Sequence, residues 1–210
     1  MAGRKPDPNK RAQILRAATE VFSAREFHTV PVEDVAARAG VGKGTLYLYF
    51  PTKEQLFYAT ILEALDVLIA ELADVTRGRR GEEALTAFVG CMLDFFWRRR
   101  QLAVLMHRYE HKLREPEGVE WRARRAAIFA LARGIIQPSR SGWLAASDAG
   151  LATEMLLALI RAAILNHQER DRIDRAARLV TDVFLHGIAG TRSERTRRQL
   201  RAVRRTGTRA

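Results

Sequence analysis

The stretch Gly40-Val41-Gly42-Lys43-Gly44-Thr45-Leu46-Tyr47-Leu48-Tyr49-Phe50 admits two opposed readings. Leu46, Leu48 and Phe50 alternate with Thr45, Tyr47 and Tyr49, the pattern of a half-buried β-strand rich in aromatics. A strand needs a partner, and the segments on either side carry helical periodicity instead. Asp7-Pro8 is a cap followed by a proline start, and Ile14, Leu15, Ala18, Val21 and Phe22 form one stripe behind it. Pro31 to Ala39 predicts a second helix burying Val32, Val35, Ala36 and Ala39, stopped by Gly40, which can take positive φ. Thr52 with Gln55 is a capping-box pair opening a long helix to about Val75.

With nothing to pair with, the alternating segment is expected to coil, because tertiary context overrides local β preference. Phe50 precedes Pro51, which excludes the α region there and ends the helix near Tyr49. Two helices, 33–39 and 43–49, joined by a turn at Gly40-Val41-Gly42 make a helix-turn-helix, the unit that seats its second helix in the DNA major groove. At about 100° per residue, Leu46 and Phe50 fall together and point inward. Lys43, Gly44, Thr45, Tyr47, Leu48 and Tyr49 spread over the remaining arc. Such a helix is poor core design and good groove design. Lys43 can reach a base edge or phosphate, Gly44 permits close backbone approach, and the hydroxyls can donate to phosphates.

At these residues the chain resembles a known family. Residues 32–57, VEDVAARAGVGKGTLYLYFPTKEQLF, are similar to the DNA-binding segment of the TetR (tetracycline-repressor-type) family of bacterial transcriptional regulators. The resemblance is specific over about residues 10–60 and extends only to helix layout beyond. It implies a two-domain, all-α homodimer that represses transcription and releases a DNA operator when a small molecule enters the larger domain. Lys43 and Gly44 would face bases; Thr45, Tyr47 and Tyr49 would contact phosphates or thymine methyls; Lys53 would clamp a phosphate. Two positions depart from the family pattern. Glu26 stands where a glycine usually precedes the aromatic that closes the first helix. Either Glu26 takes the left-handed region, at about 1 kcal/mol, or that helix ends differently. Val30-Pro31-Val32 replaces a capping threonine, so Pro31 sets φ but supplies no donor, and Thr29 is the nearest substitute.

Beyond Val75, the charged, glycine-broken segment 76–83 leads to helices expected at about 82–98, 101–113, 118–137, 147–169 and 172–189. The predicted organisation is a DNA-binding domain over 1–51 with a basic arm, an effector-binding and dimerisation domain over 52–190, and a basic, disordered tail over 191–210. Aromatics and methionines in the middle helices point to an apolar effector pocket of Met92, Phe96, Met106, Tyr109, Trp121 and Phe129, with His107 or Glu110 as polar anchor. The last two helices are expected to make an isologous two-fold interface through Met155, Leu159, Ala162, Val180, Val183, Phe184 and Gly187. The competing arrangement is a monomer whose last helices are its own core.

Charge bears on partners. The chain carries +12 over its 210 residues, with eight arginines against one glutamate in 191–210 and a net +3 in 1–11. The body between keeps only +2, so basicity concentrates at the ends, as expected for a polyanion partner or a solvated tail. One cysteine, Cys91, excludes an intramolecular disulfide framework and suits a reducing cytoplasm. The N-terminus shows no apolar signal region, and the run Met155 to Leu165 is too short to span a bilayer, so no membrane partner is expected. No cofactor is expected either.

His107-Arg108-Tyr109-Glu110-His111 keeps another chemistry open. It resembles the His-x-x-Glu-His motif of inverzincin metalloproteases, with Glu154 or Glu169 as candidate third ligand. Three fixed positions in five residues arise readily by chance, so the motif ranks below the repressor reading, as a metal-sensing site or a zinc-dependent hydrolase. A nucleic-acid coating protein using the arginine tail is the remaining class.

Overall fold

The computed structural model describes residues 7–100, 102–104, 106, 118–136, 146–166 and 172–187. Among them the regular structure is all helical, as expected: α1 Pro8–Ala24, α2 Val32–Arg38, α3 Lys43–Tyr49, α4 Lys53–Thr76, α5 Gly81–Arg98, α6 Val119–Ile135, α7 Ala149–Asn166 and α8 over 173–187. Helical residues 102–104 and 106 lie between α5 and α6. The expected helix 101–113 is otherwise outside the described residues, as are the basic ends 1–6 and 191–210.

The first core forms where α1, α2, α3 and the start of α4 meet. Asp7 caps α1 by accepting the Asn9 N–H at 2.9 Å, and Pro8 occupies the first turn. Ile14, Ala18 and Phe22 of α1 are buried together with Val32, Val35 and Ala36 of α2. Glu26 resolves the alternative at the end of α1. Arg25 and Glu26 are both extended, at φ −136° and −64°, so no left-handed strain arises there. The chain then makes a 3-10 turn at Phe27–Thr29 that sends Phe27 inward. Thr29 Oγ1 donates to the Glu26 carbonyl at 2.8 Å, so the substitute donor is occupied within its own turn.

Gly40 does what its position demands. At φ +62° it lets its N–H reach the Ala37 carbonyl at 3.1 Å while the Val41 N–H reaches Ala36 at 3.0 Å. That closure satisfies two carbonyls at the end of α2 and turns the chain into α3. Gln13 Nε2 adds a bond to the Ala39 carbonyl at 2.8 Å, tying the turn back to α1.

α4 is the long element, 24 residues or about 36 Å. Thr52 caps it, its Oγ1 accepting the Gln55 N–H at 3.1 Å. Its first turns belong to the core just described: the Phe57 ring lies 5.2 Å from Phe22, edge-on, and 4.9 Å from Phe27. Further along, Leu65, Leu68 and Leu72 are buried where α4 packs on α5 and α6. α5 fills the second core with Phe88, Val89, Leu93 and Phe95, all buried. α8 leans on α5, with Thr86 Oγ1 3.3 Å from the buried Thr181 Oγ1.

α7 buries Leu156, Ile160 and Ile164 against α5 and α6. The apolar run within it reads from sequence as too short for a bilayer, yet the helix reaches 18 residues with mean hydropathy 1.5, enough by length and composition to cross one. Its packed inner face, with Glu154 and Arg161 on other sides, is equally that of a bundle helix.

Replacing Gly40 by alanine isolates backbone strain from packing, since nothing but Gln13 Nε2, at 3.9 Å, approaches the new methyl. A loss of about 1–2 kcal/mol is expected, or a fall in Tm of about 2–8 °C, measured by circular dichroism at fixed protein concentration.

Candidate nucleic-acid interface and ligand cavity

α3 is seven residues long and buries Leu46 completely, with Phe50 buried just past its end. Tyr47 is 38% and Leu48 79% exposed, and Lys43 and Gly44 also face solvent. Thr45 is half-buried. The arc expected to face a groove is therefore open on its Lys43–Gly44–Tyr47–Leu48 side.

Tyr49 corrects the sequence reading in part. It is half-buried against the core, and its hydroxyl accepts the Asp7 N–H at 2.8 Å. The ring joins the end of α3 to the cap of α1, a contact between residues 42 apart that local periodicity does not reveal. The phenol hydrogen stays available as a donor, because that bond uses only an oxygen lone pair.

The cations around α3 already have partners. Lys43 Nζ meets Glu33 Oε1 at 2.5 Å and lies 6.0 Å from the centroid of the Tyr47 ring. The hydrogen bond raises the Lys43 pKa and lowers that of Glu33. Lys53 Nζ sits 4.4 Å over the Phe27 ring, and burial pushes its pKa down. Arg11, which the sequence reading places only in the basic arm, lies over Phe50 at 5.4 Å. Arg25 meets Asp34 at 2.5 Å and donates to the Thr29 carbonyl at 3.1 Å, bracing the end of α1 against α2.

Gly44 has no internal explanation. A Cβ built there meets nothing within 4 Å, and its φ is not in the left-handed range. Glycine inside a helix costs about 1 kcal/mol relative to alanine. The fold therefore carries a local weakness at an exposed position that packing does not require.

A cavity of about 270 Å³ lies between α4, α5, α6 and α7. Four of the expected residues, Met92, Phe96, Met106 and Trp121, line it. Phe129 does not; one position earlier, Ile128 takes its place, a difference of about 100° around α6. His107, Tyr109, Glu110 and His111 lie outside the described residues, as does Glu169. The sequence reading does not place the charged members of the lining there: it misses Arg125 and Arg161 and offers Glu154 only as a candidate metal ligand. Arg125 Nη2 donates to Glu154 Oε2 at 3.1 Å across 29 residues, a separation at which spacing carries no signal.

The neighbouring Arg124 faces the other way. Its Nε donates to the Leu62 carbonyl at 3.1 Å and its Nη2 to Asp66 Oδ2 at 2.7 Å, fastening α6 to the middle of α4. Cys91, half-buried on α5, has its thiol pKa pushed up to about 11 by burial, so it stays protonated at neutral pH.

On the last two helices, Leu151, Met155 and Leu179 are 67%, 58% and 59% exposed. Of the expected interface residues, Met155, Ala162 and Gly187 face solvent, and Leu159, Val180, Val183 and Phe184 are half-buried.

Comparison with known proteins agrees with this geometry. Residues 14–60 match the model for bacterial regulatory proteins of the tetR family. The HTH-type transcriptional activator FasR of Mycolicibacterium smegmatis is 34% identical over 93 residues, 44% of this chain and 42% of that protein. The HTH-type transcriptional regulator RutR of Escherichia coli is 43% identical over 63 residues, 30% of each chain. The chain thus spans less than half the length of these curated relatives. Among solved structures, the TetR family regulator PfmR from Thermus thermophilus superposes with a TM-score of 0.66 at 25% identity, covering 83% of this chain and 98% of that one. FadR from Bacillus subtilis, solved in complex with stearoyl-CoA, gives 0.66 at 24% identity over 84% of this chain and 98% of that one, a likeness of fold. Residues 14–60 thus match the DNA-regulator model of the tetR family, and over most of its length the chain has the fold of solved tetR-family regulators.

Proposed function

We propose that this chain is a ligand-responsive, sequence-specific transcriptional repressor that works in the cytoplasm as a two-fold dimer and releases a palindromic operator when a small, apolar-bodied effector binds. The observation that carries this reading is α3: a seven-residue helix held by Leu46 and Phe50 that presents Lys43, Gly44, Tyr47 and Leu48 to solvent. The unexplained glycine at 44 fits the same purpose, because a missing Cβ lets a base edge or phosphate approach the backbone.

Lys43 would exchange Glu33 for DNA, and Tyr47 would reach a phosphate or thymine methyl. Thr45, Leu48 and the outward hydrogen of Tyr49 complete the contact, with Lys53 at the start of α4. The exposed apolar side chains of α7 and α8 would be covered by the same surface of a second copy, with no membrane involved. Two α3 helices about 34–36 Å apart would then enter successive major grooves, which makes the operator palindromic.

The release step is mechanical. Leu65 lines the cavity, and Lys53, 12 residues earlier on α4, lies about 18 Å away along the same helix. Arg124 fastens α6 to Leu62 and Asp66, in the stretch of α4 that carries Leu65. A ligand that displaces α6 or Leu65 therefore moves the element carrying the DNA-reading core. A 100-fold preference for the displaced state corresponds to about 2.7 kcal/mol. FadR of Bacillus subtilis, of the same fold, was solved with stearoyl-CoA, which supports a small-molecule effector here. Because the relative FasR is an activator by name, the sign of regulation is part of the proposal.

Four measurements test this reading. Mobility shifts of operator and random duplex over a salt series should show a large affinity ratio at equal salt; equal affinities would leave only charge-driven coating. Tyr47→Ala and Lys53→Ala should each weaken operator binding by about 1–3 kcal/mol with the dimer intact, and unchanged binding would reject the placement of α3. Gly44→Ala should move stability and function in opposite directions, raising stability by about 0.5–1 kcal/mol while weakening operator binding. Finally, Met155→Glu should convert a dimer to monomer in sedimentation and abolish cooperative operator binding, whereas a wild type already monomeric at micromolar concentration would exclude the interface.

A further inference from the structure

Lys43 carries a carboxylate that the fold does not require. Glu33, the second residue of α2, reaches the first residue of α3 and accepts from Lys43 Nζ at 2.5 Å. The other acids of this region brace helices: Asp7 caps α1, Glu20 holds Arg38 at 2.5 Å, and Asp34 holds Arg25. Among the described residues, Glu33 is the carboxylate bonded to a side chain of α3. The junction of α2 and α3 stands without it, because Val35 and Leu46 are fully buried and the Gly40 turn is closed by its own backbone bonds. Lys43 and Glu33 are 56% and 55% exposed, so the pair adds little to stability. The same hydrogen bond lowers the Glu33 pKa and raises that of Lys43, which keeps both charged at neutral pH.

We propose that Glu33 is a specificity-determining residue, which occupies Lys43 until a DNA site seats α3 fully. The inference rests on the reading of α3 above and adds to it a residue of α2. On random duplex, Lys43 moving to a phosphate exchanges one anion for another and leaves the Glu33 carboxylate unpaired in the negative field of the DNA. Lys43 therefore stays on Glu33 there and releases no counterion. At a matching site a base edge accepts from Lys43 while Tyr47 and Leu48 meet the groove, and these contacts together offset both losses. Glu33 thus acts mainly against the wrong DNA.

The test uses the full chain and two duplexes of about 30 base pairs, long enough for two half-sites one turn apart. One is recovered by the wild type from a randomised library, and the other is its scramble of equal composition. Glu33→Gln should tighten the scrambled duplex about 3–10-fold and the selected one by less, so that the affinity ratio falls about 3-fold or more. The salt slope on the scrambled duplex should steepen by about one, the mark of Lys43 newly on a phosphate, with the slope on the selected duplex unchanged. In a Lys43→Met background the same substitution should leave the ratio as it is, whereas simple repulsion between Glu33 and phosphates persists without the lysine. A ratio that Glu33→Gln leaves unchanged or raises, an unaltered slope on the scrambled duplex, or a change that persists in Lys43→Met would each overturn the proposal and leave the reading of α3 in place. A wild type that enriches no duplex from the library removes that reading, and this inference with it.

Discussion

The exposed face of α3 depends on two buried side chains. A seven-residue helix is far below the length at which helices persist by themselves in water. α3 holds because Leu46 is fully buried and Phe50 follows it into the same core, each worth about 1.5–3 kcal/mol of transferred surface. Gly44 weakens the helix from within, so this anchorage is all the more necessary. The exposed face is free to vary in sequence only because the two anchors and the closure at Gly40 hold the backbone in place.

That core is not confined to the N-terminal segment. Phe57 packs on Phe22 and Phe27, and Leu56 is fully buried, so the first turns of α4 are part of the platform under α3. The same helix continues unbroken to Thr76 and contributes Leu65 to the cavity. A helix packed at both ends transmits displacement instead of absorbing it, since packed cores deform in discrete rearrangements. α4 is thus support for one site and wall of the other, and Arg124 holds α6 to it beside that wall.

Much of this is legible from residue patterns. Cap residues Asp7 and Thr52, the stop at Gly40 and the inward pair Leu46 and Phe50 are local signals, and each stands where spacing puts it. The end of α1 is ambiguous in sequence because Glu26 conflicts with the expected glycine. The fold avoids the conflict by extending Arg25 and Glu26 and using a 3-10 turn. Contacts between distant residues are hidden: Tyr49 with Asp7, Lys53 over Phe27, Lys43 with Glu33 and Arg125 with Glu154 depend on how helices are placed, which periodicity does not encode. The cavity is half legible for the same reason. Apolar helix faces announce Met92, Phe96 and Trp121, but a charged residue on a helix reads as solvent-facing until a neighbour turns it toward a void.

Charge distribution constrains how such a protein selects its site. The body between the two basic ends carries only +2, and Lys43 begins paired with Glu33. Contact with a phosphate backbone must then compete with an internal carboxylate at the tip of α3, which penalises loose, purely electrostatic docking. In the proposed mode, binding would become favourable where several contacts form together: Lys43 leaving Glu33, Tyr47 and Leu48 meeting the groove, and a second copy doing the same at a fixed separation. If α3 reads DNA as proposed, a carboxylate on Lys43 would favour discrimination over affinity, because DNA that satisfies Lys43 alone gains little over Glu33. In the proposed mode, non-specific attraction from the arginines concentrated at the chain ends would be separate in sequence from the reading helix.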